Sequence, residues 1–449
     1  MNSGQLKKYL MLVFLLIVTA NCLLPTNAFA LNVKKTTLQN GLIVLYSEEH
    51  SLPILMLTLL VKASPLNEPK DKAGLANLTA ELLLEGTRHR TSTDISEETE
   101  FLGASLDTST SSDYTTVTLS VLKKDINKGL ELFSDILLDP VFPQQEIERK
   151  KEIIKGSLKH REEDPSFIAE RTFRNEVFGE HPYGRLTEGL GETIDSIKRE
   201  DLIRFYSDYF LPNNSILSIV GDLTEEELNV LVKGYLDNWA SANLPPMLPR
   251  VFDQTKITKI IKKIDKDLTQ ANIILGNIGI SRNNPDYYAV SIMNYILGGG
   301  GFSSRLMQSI RDDMGLAYDV DSSFSTNKEK GIFQIEVQTK NESAGLVISE
   351  IVKQMKRIQK EEVSDDELAD AKSYLTGSFM RRLDTDRKIA DFLALVEFYN
   401  LGFDYIVKYP VYINSITKKD ILRVAKKYLN SENYVLVVVA NQKKAALKY

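Results

Sequence analysis

The chain has 449 residues, more than one ordinary hydrophobic core organises, so its length predicts two or more domains. Hydrophobic residues make up 43% and charged residues 26% of the sequence, which is typical of a globular protein and excludes large-scale disorder. The formal net charge of −6 argues against nucleic acid or an anionic membrane as a partner, because both favour a basic surface.

Residues 1–30 have the pattern of a signal peptide. Two lysines near the start precede an apolar run over residues 10–20, which is too short to span a bilayer. Small residues then occupy the two positions that signal peptidase reads, Ala28 and Ala30. We therefore expect cleavage after Ala30 and export across the inner membrane of a bacterium, giving a periplasmic or secreted protein.

The only cysteine is Cys22, inside this segment. A lipoprotein anchored at Cys22 is an alternative, although Asn21 is a poor residue before a lipidated cysteine. Cleavage after Ala30 would leave no cysteine for a disulfide, a nucleophile or a thiolate metal site. The 55 basic side chains would fall by two to 53 against 61 acidic ones, a net charge of −8.

The first half of the chain alternates strands and helices. Asn40-Gly41 predicts a hairpin turn between two β-rich segments. Periodicity and stop signals predict the following elements: a strand over 52–63, a helix over 74–84 stopped by Gly86, a strand over 115–122, a helix over 125–138, a charged helix over 144–163, and a helix end, turn and buried strand over 206–222.

The second half repeats this order, which indicates two copies of one α+β unit. The predicted elements are a strand over 271–280, a helix over 285–297, a strand over 331–339, helices over 343–361 and 364–382, and a closing helix, turn and strand over 424–440. Ser364 and Glu367 form a capping box. We predict an N-terminal lobe over 31–243, a linker over 244–254 and a C-terminal lobe over 255–449. The glycines at 298–301 predict a flexible joint, since no Gly-Lys-Ser/Thr follows for a phosphate loop.

Four segments resemble a known family. They are Leu38-x-Asn-Gly-Leu42, residues 72–87, His181-Pro-Tyr-Gly184 and residues 304–318. In this order they resemble the bacterial two-lobe members of the pitrilysin, insulinase and mitochondrial-processing-peptidase clan of zinc peptidases. The resemblance covers essentially the whole mature chain. It implies two homologous lobes, each a mostly antiparallel sheet covered by helices.

Active members of this clan carry His-x-x-Glu-His on a helix and a distal glutamate on a later one. The resemblance places Asn77, Ala80 and Glu81 at the His, Glu and His positions, and Ser157 at the distal glutamate. Alanine cannot move a proton, and an amide and a hydroxyl bind zinc weakly. We therefore predict that this chain has no metal, no cofactor and no catalytic residue acting alone.

The four histidines offer no replacement. His50, His89, His160 and His181 lie too far apart in sequence for one helix to present a pair. Each is predicted to be a solvated or locally bonded imidazole.

The resemblance also extends to the other half of the clan's active site, which lies in the second lobe. The resemblance implies that Arg305 and Tyr318 contact substrate, the arginine holding a carbonyl or carboxylate and the tyrosine donating to an oxyanion. Outside this segment, Arg305 would be interpreted as a salt-bridge residue and Tyr318 as a packed strand residue.

The sequence thus predicts a non-catalytic subunit of an exported zinc peptidase. It would bind unfolded peptide and supply Arg305 and Tyr318 in trans to a homologous partner that carries His-x-x-Glu-His and zinc. Two alternatives stay open: a peptide-binding or scaffold protein without a peptidase partner, and a self-sufficient metallopeptidase with an unusual site.

Overall fold

The protein is described by a computed structural model, which covers residues 31–246 and 258–448. The predicted signal peptide and most of the predicted linker lie outside the described residues. Within the two described ranges, no helix combines the length and the apolar character needed to cross a membrane.

A six-stranded sheet forms the centre of the first lobe. Its strands are β1 (Val33–Thr37), β2 (Ile43–Glu48), β3 (Ile54–Val61), β4 (Ser105–Thr110), β5 (Thr115–Leu122) and β6 (Ser215–Gly221). Their order is β1-β2-β6-β3-β5-β4, and every neighbouring pair is antiparallel except β2 and β6. The predicted hairpin joins β1 to β2, with Gly41 at a φ of 88° that a side chain would resist.

The helices of the first lobe follow the predicted order, with additions. They are α1 (Leu75–Leu82), α2 (Ser92–Phe101), α3 (Ile126–Leu138), α4 (Gln144–Arg161), α5 (Pro165–Phe178), α6 (Gly191–Ser196), α7 (Arg199–Tyr209) and α8 (Glu225–Leu236). Residues from α1, α3, α4, α7 and α8 share one hydrophobic core with one face of the sheet.

The second lobe repeats this plan around five strands. They are β7 (Ile260–Asp265), β8 (Gln270–Ile278), β9 (Ala317–Phe324), β10 (Ile332–Lys340) and β11 (Val435–Ala440). The order is β7-β11-β8-β10-β9, again with a single parallel pair, β7 and β11.

The helices of the second lobe are α9 (Tyr287–Asn294), α10 (Ala344–Lys360), α11 (Asp365–Phe379), α12 (Asp386–Phe398), α13 (Tyr405–Ser415), α14 (Lys418–Tyr428) and α15 (Gln442–Ala445). The predicted capping box opens α11: Ser364 Oγ accepts from the Glu367 N–H at 3.0 Å, and a Glu367 carboxylate oxygen accepts from the Ser364 N–H at 2.8 Å. The predicted fold class, two mixed lobes built on helix-covered sheets, is confirmed.

The two lobes exchange one helix each. Helix α5 of the first lobe packs on the second sheet, in a core that combines Ile168 and Phe173 with Ile274 and Val437. Helix α12 of the second lobe packs on the first sheet through residues such as Leu393. Each sheet is therefore covered on one face by its own helices and on the other by a helix of the opposite lobe, which ties the lobes together.

Candidate functional site

The positions that correspond to a zinc motif lie on α1. Its apolar residues are buried in the first core, and this packing fixes the helix against α4. Asn77 and Glu81 lie one turn apart, and the Asn77 amide donates to Glu81 Oε1 at 2.9 Å. Ala80 is 1% exposed and brings only a methyl group. The amide and carboxylate of this turn therefore bind each other.

Lys150 of α4 carries a positive charge next to the carboxylates of Glu81 and Glu85. Lys150 Nζ lies 2.9 Å from Glu85 Oε1 and 3.5 Å from Glu81 Oε2. Arg149 also pairs with Glu85. Burial would raise the pKa of Glu85, but the hydrogen bonds and charges of Lys150 and Arg149 outweigh it and lower that pKa. The acidic groups next to α1 are neutralised by side chains of this chain.

These residues do not fit a catalytic zinc ion. Such a site needs three good ligands, commonly imidazoles and a carboxylate, and an open coordination position. Here a single carboxylate, Glu81, is shared by an amide and an ammonium group, and Ser157 is an exposed hydroxyl on α4. A dication would also be repelled by the ammonium of Lys150.

The structure places Arg305 inside the second lobe. It is 8% exposed, and its Nε and Nη2 donate to the two oxygens of Glu367 at 2.6 and 2.9 Å. The third nitrogen, Nη1, is buried as well. Nη1 has no hydrogen-bond partner among the described residues, but the whole side chain is only 7% exposed. Arg305 thus connects its own segment to the start of α11 and is shielded from a substrate, which argues against the role predicted from the sequence.

Arg305→Ala is expected to lower the free energy of unfolding at neutral pH by about 1–3 kcal/mol, because Glu367 loses two charged donors. Burial would raise the pKa of Glu367, but Arg305 and the Ser364 N–H lower it to about 2 from 4.5. A carboxylate with a lowered pKa stabilises the fold above its ordinary pKa. This contribution disappears as the pH falls from about 4.5 to about 2.

Urea unfolding of both proteins at pH 7 and pH 3 tests this expectation. The difference between Arg305→Ala and the parent should shrink at pH 3. Arg357→Ala is a matched control, since the Arg357–Glu361 pair has side chains that are 51% and 62% exposed and should contribute little. Equal stability of Arg305→Ala and the parent at pH 7 would contradict a structural role.

A different arginine accompanies Tyr318. The guanidinium carbon of Arg311 lies 5.4 Å from the centre of the Tyr318 ring and 4.5 Å from that of Phe302. Tyr318 is 84% exposed and Phe302 68% exposed, so these rings stand out from the lobe. We call Phe302, Arg311 and Tyr318 the arginine–aromatic cluster. Arg311 was not predicted from the sequence as a site residue, although it lies in the same 304–318 segment.

The backbone explains why Arg311 reaches this cluster. Residues Met307–Asp313 form π-helical turns, which place side chains differently from an α-helix of the same sequence. The π-helical turns end at Asp313, with Met314 as the C-cap, and β9 begins with Ala317 and Tyr318. A π-helical segment is uncommon and often accompanies a functional site.

An acidic cavity of about 480 Å³ adjoins Tyr318, between β8, β9, β10 and α5. Three carboxylates line it: Asp319, Asp321 and Glu336. Asp321 lies directly opposite Glu336 in neighbouring strands, an arrangement of like charges that costs stability. Burial and Asp319 raise the pKa of Asp321, while burial, Asp321 and Glu170 raise that of Glu336. Lys340 also lines the cavity, but three carboxylates against one ammonium group leave a net negative charge, which suits a positively charged ligand.

Two protein-family models match the chain. The one described as insulinase, peptidase family M16, matches residues 43–189, and the one described as the peptidase M16 inactive domain matches residues 196–375. A Helicobacter pylori protein named "Non-peptidase homolog YmxG" is 28% identical over 410 residues, 89% of this chain and 92% of that protein. A Rickettsia bellii protein named "Uncharacterized zinc protease" is 28% identical over 352 residues, 77% and 82% of the two chains.

Solved structures agree with the two-lobe architecture. A peptidase M16 inactive domain from Pseudomonas fluorescens superposes with a TM-score of 0.82 at 27% identity, covering 91% of this chain and 98% of that one. A protease from Helicobacter pylori gives a TM-score of 0.84 at 21% identity over 92% and 100% of the two chains, a likeness of fold.

Proposed function

The chain belongs to the peptidase M16 family of insulinase and pitrilysin, and from this premise we propose that it is the non-catalytic, substrate-binding subunit of an exported zinc-peptidase pair. One observation carries the proposal. The zinc positions of the first lobe hold an amide, a methyl group and a carboxylate paired with Lys150, whereas the second lobe presents Tyr318 to solvent beside a partly exposed Arg311. The name of the Helicobacter pylori relative, "Non-peptidase homolog YmxG", supports the loss of catalysis.

The partner is a homologous exported chain that carries His-x-x-Glu-His and binds the zinc ion. This chain contributes the arginine–aromatic cluster to the shared site. The Arg311 guanidinium can hold a backbone carbonyl or a carboxylate of the peptide by paired hydrogen bonds. The Tyr318 hydroxyl can donate to the oxyanion that forms when water attacks the scissile carbonyl. Arg311 replaces Arg305 in this role because Arg305 is bound to Glu367.

The peptide would bind along β9. This strand is at the edge of the described sheet, with β10 on its only paired side. An extended peptide can add to such an edge by backbone hydrogen bonds, and its alternate side chains then face one side of the sheet. On this side lie Asp319, Asp321 and Glu336. We therefore propose that the bound peptides carry lysine or arginine at alternate positions.

Glu336→Gln is expected to weaken the binding of a lysine-containing peptide about threefold to tenfold, because it removes one attractive charge. The same change should raise the free energy of unfolding by about 0.5 kcal/mol, because it relieves repulsion from Asp321. Fluorescence anisotropy at low and moderate salt measures the binding, and urea unfolding measures the stability.

A peptide in which the lysines are replaced by glutamine serves as the control. It should bind with equal affinity to the parent chain and to Glu336→Gln. Glu361→Gln, on an exposed helix end, should change neither quantity. If Glu336→Gln left the affinity for the lysine peptide unchanged, the acidic face would have no part in peptide binding.

The proposed function is tested by purification from the native host through a tag at the C-terminus. We expect a second M16 chain with His-x-x-Glu-His to co-purify, and the mature chain to begin at Leu31 after export. Peptidase activity should require both chains and should disappear with a chelator. Cleavage by the isolated chain, with one tightly bound zinc at Asn77, Glu81 and Ser157, would overturn the proposal.

A further inference from the structure

We propose that the first lobe holds one divalent transition-metal ion between His89, Asp135 and Asp139. One potential ligand atom of each residue lies within 4.8 Å of the other two. These residues are separate from the zinc positions on α1, and the site does not depend on the peptidase proposal. We call His89, Asp135 and Asp139 the turn–helix cluster, because it joins the turn after α1 to the end of α3.

One carboxylate oxygen of Asp135 lacks a hydrogen-bond partner in the described part of the chain. The residue is 6% exposed, and its Oδ2 accepts from the Thr87 hydroxyl at 2.7 Å and from Arg90 Nη1 at 2.8 Å. Its Oδ1 is buried and has no hydrogen-bond partner among the residues that the structure describes. A buried carboxylate oxygen left unpaired is costly and calls for an explanation. A cation bound within the turn–helix cluster would satisfy it.

The end of α3 is unusually acidic. Asp135 lies in its last turn and Asp139 at its C-cap, and the last turn contains no basic residue. Carboxylates are unfavourable there because the C-terminal end of a helix carries partial negative charge. A dication bound to both aspartates would make the local charge favourable to the helix end. This would explain why two acids lie there.

The surrounding charges suit a dication. Arg90 forms ion pairs with three carboxylates: Glu98, Glu131 and Asp135. Arg88 pairs with Asp139 at 3.3 Å, but its side chain is 72% exposed, so this contact is weak and can yield to an ion. Two basic groups thus face four acidic ones, and the local net charge is −2.

The backbone holds His89 in place. Thr87 N–H donates to the Arg90 carbonyl at 2.9 Å, and Thr87 Oγ1 accepts from the N–H groups of His89 and Arg90 at 3.1 and 3.0 Å. The Arg88 N–H donates to the Asp139 carbonyl at 3.0 Å. To bind an ion at a ligand distance of about 2.0–2.2 Å, the exposed His89 ring has to turn towards the aspartates and Arg88 has to release Asp139. One imidazole with two carboxylates favours zinc and its neighbours over calcium or magnesium.

Titration of the metal-free mature chain with Zn²⁺ by calorimetry tests the proposal. We expect one Zn²⁺ per chain, a higher unfolding temperature with Zn²⁺, and no comparable binding of Mg²⁺. His89→Ala and Asp139→Asn should each weaken Zn²⁺ binding about tenfold or more. Asp135 is left intact, because it also anchors Thr87 and Arg90.

Two controls identify the site. His160→Ala removes an exposed histidine of α4 and should leave Zn²⁺ binding unchanged. Glu81→Gln alters the zinc positions on α1 and should also leave it unchanged. The proposal is overturned if the parent chain shows no saturable Zn²⁺ binding, or if His89→Ala binds Zn²⁺ as tightly as the parent. Loss of binding in Glu81→Gln alone would instead contradict the account of α1.

Discussion

Arg311→Ala combined with Tyr318→Phe is expected to lower kcat/KM of the reconstituted peptidase pair by about a hundredfold or more. The reason is that a donor aimed at the developing oxyanion acts mainly in the transition state, and losing one such donor has an effect of this order. The loss should fall mainly on kcat, with a smaller change in KM from the lost peptide contact of Arg311. Steady-state cleavage of a fluorogenic peptide by the assembled pair measures both constants.

The assembled pair also separates Arg311 from Arg305. Arg305→Ala is expected to lower the stability of this chain while leaving kcat/KM of the folded pair unchanged. Arg357→Ala with Tyr412→Phe, both on the surface of the second lobe, provides a control of the same chemical size. If the Arg311 and Tyr318 variant assembled normally and cleaved peptide at the parental rate, the chain would be a scaffold of the complex.

The difference between the two arginines shows a limit of sequence reasoning. Both lie in the 304–318 segment, and either could face a substrate. Arg305 is buried because it donates two hydrogen bonds to Glu367. Glu367 lies 62 residues further along the chain, and its position depends on the packing of α11. Arg311 faces Tyr318 because π-helical turns precede β9, and no periodicity in the sequence signals such turns.

The zinc positions on α1 also show that sequence patterns do not predict tertiary contacts. The sequence sufficed to place Asn77, Ala80 and Glu81 on one helix, and the structure confirms that helix as α1. It gave no signal for Lys150, because the pairing of Lys150 with Glu81 and Glu85 depends on how α4 crosses α1. Local patterns identify which residues share a helix, whereas tertiary packing decides which charges meet.

The fold was predictable where local signals were strong. The strand over 115–122 and the helix start at Ser364 match the sequence expectation closely. The glycine run, predicted as a flexible joint, has a packing role in the structure. A Cβ at Gly298 would lie 2.7 Å from the Ser322 backbone nitrogen, so Gly298 permits close packing on β9. Helices α5 and α12 were not predicted, and an exchange between lobes leaves no pattern in a single sequence.

That exchange leads to the largest expected effect on stability. Phe173→Ala should lower the free energy of unfolding by about 3–5 kcal/mol, the usual cost of emptying a buried phenylalanine site. Phe173 is 0% exposed, and a Cβ built on Gly276 of β8 would lie 2.9 Å from its ring, so the site is closely packed. Urea unfolding followed by circular dichroism and by intrinsic fluorescence measures the change.

Removing the Phe173 ring should also make the two lobes unfold independently. The reason is that Phe173 belongs to the first lobe, while its neighbours Ile274 and Val437 belong to the sheet of the second. We therefore expect the two probes to report separate transitions in Phe173→Ala. Trp239, the single tryptophan, is buried in the first core and reports that lobe in particular. Glu170→Ala changes an exposed position of the same helix and should stay within about 0.5 kcal/mol of the parent. Coincident transitions and a loss no larger than that of Glu170→Ala would mean that α5 does not hold the lobes together, and that their arrangement depends on α12 instead.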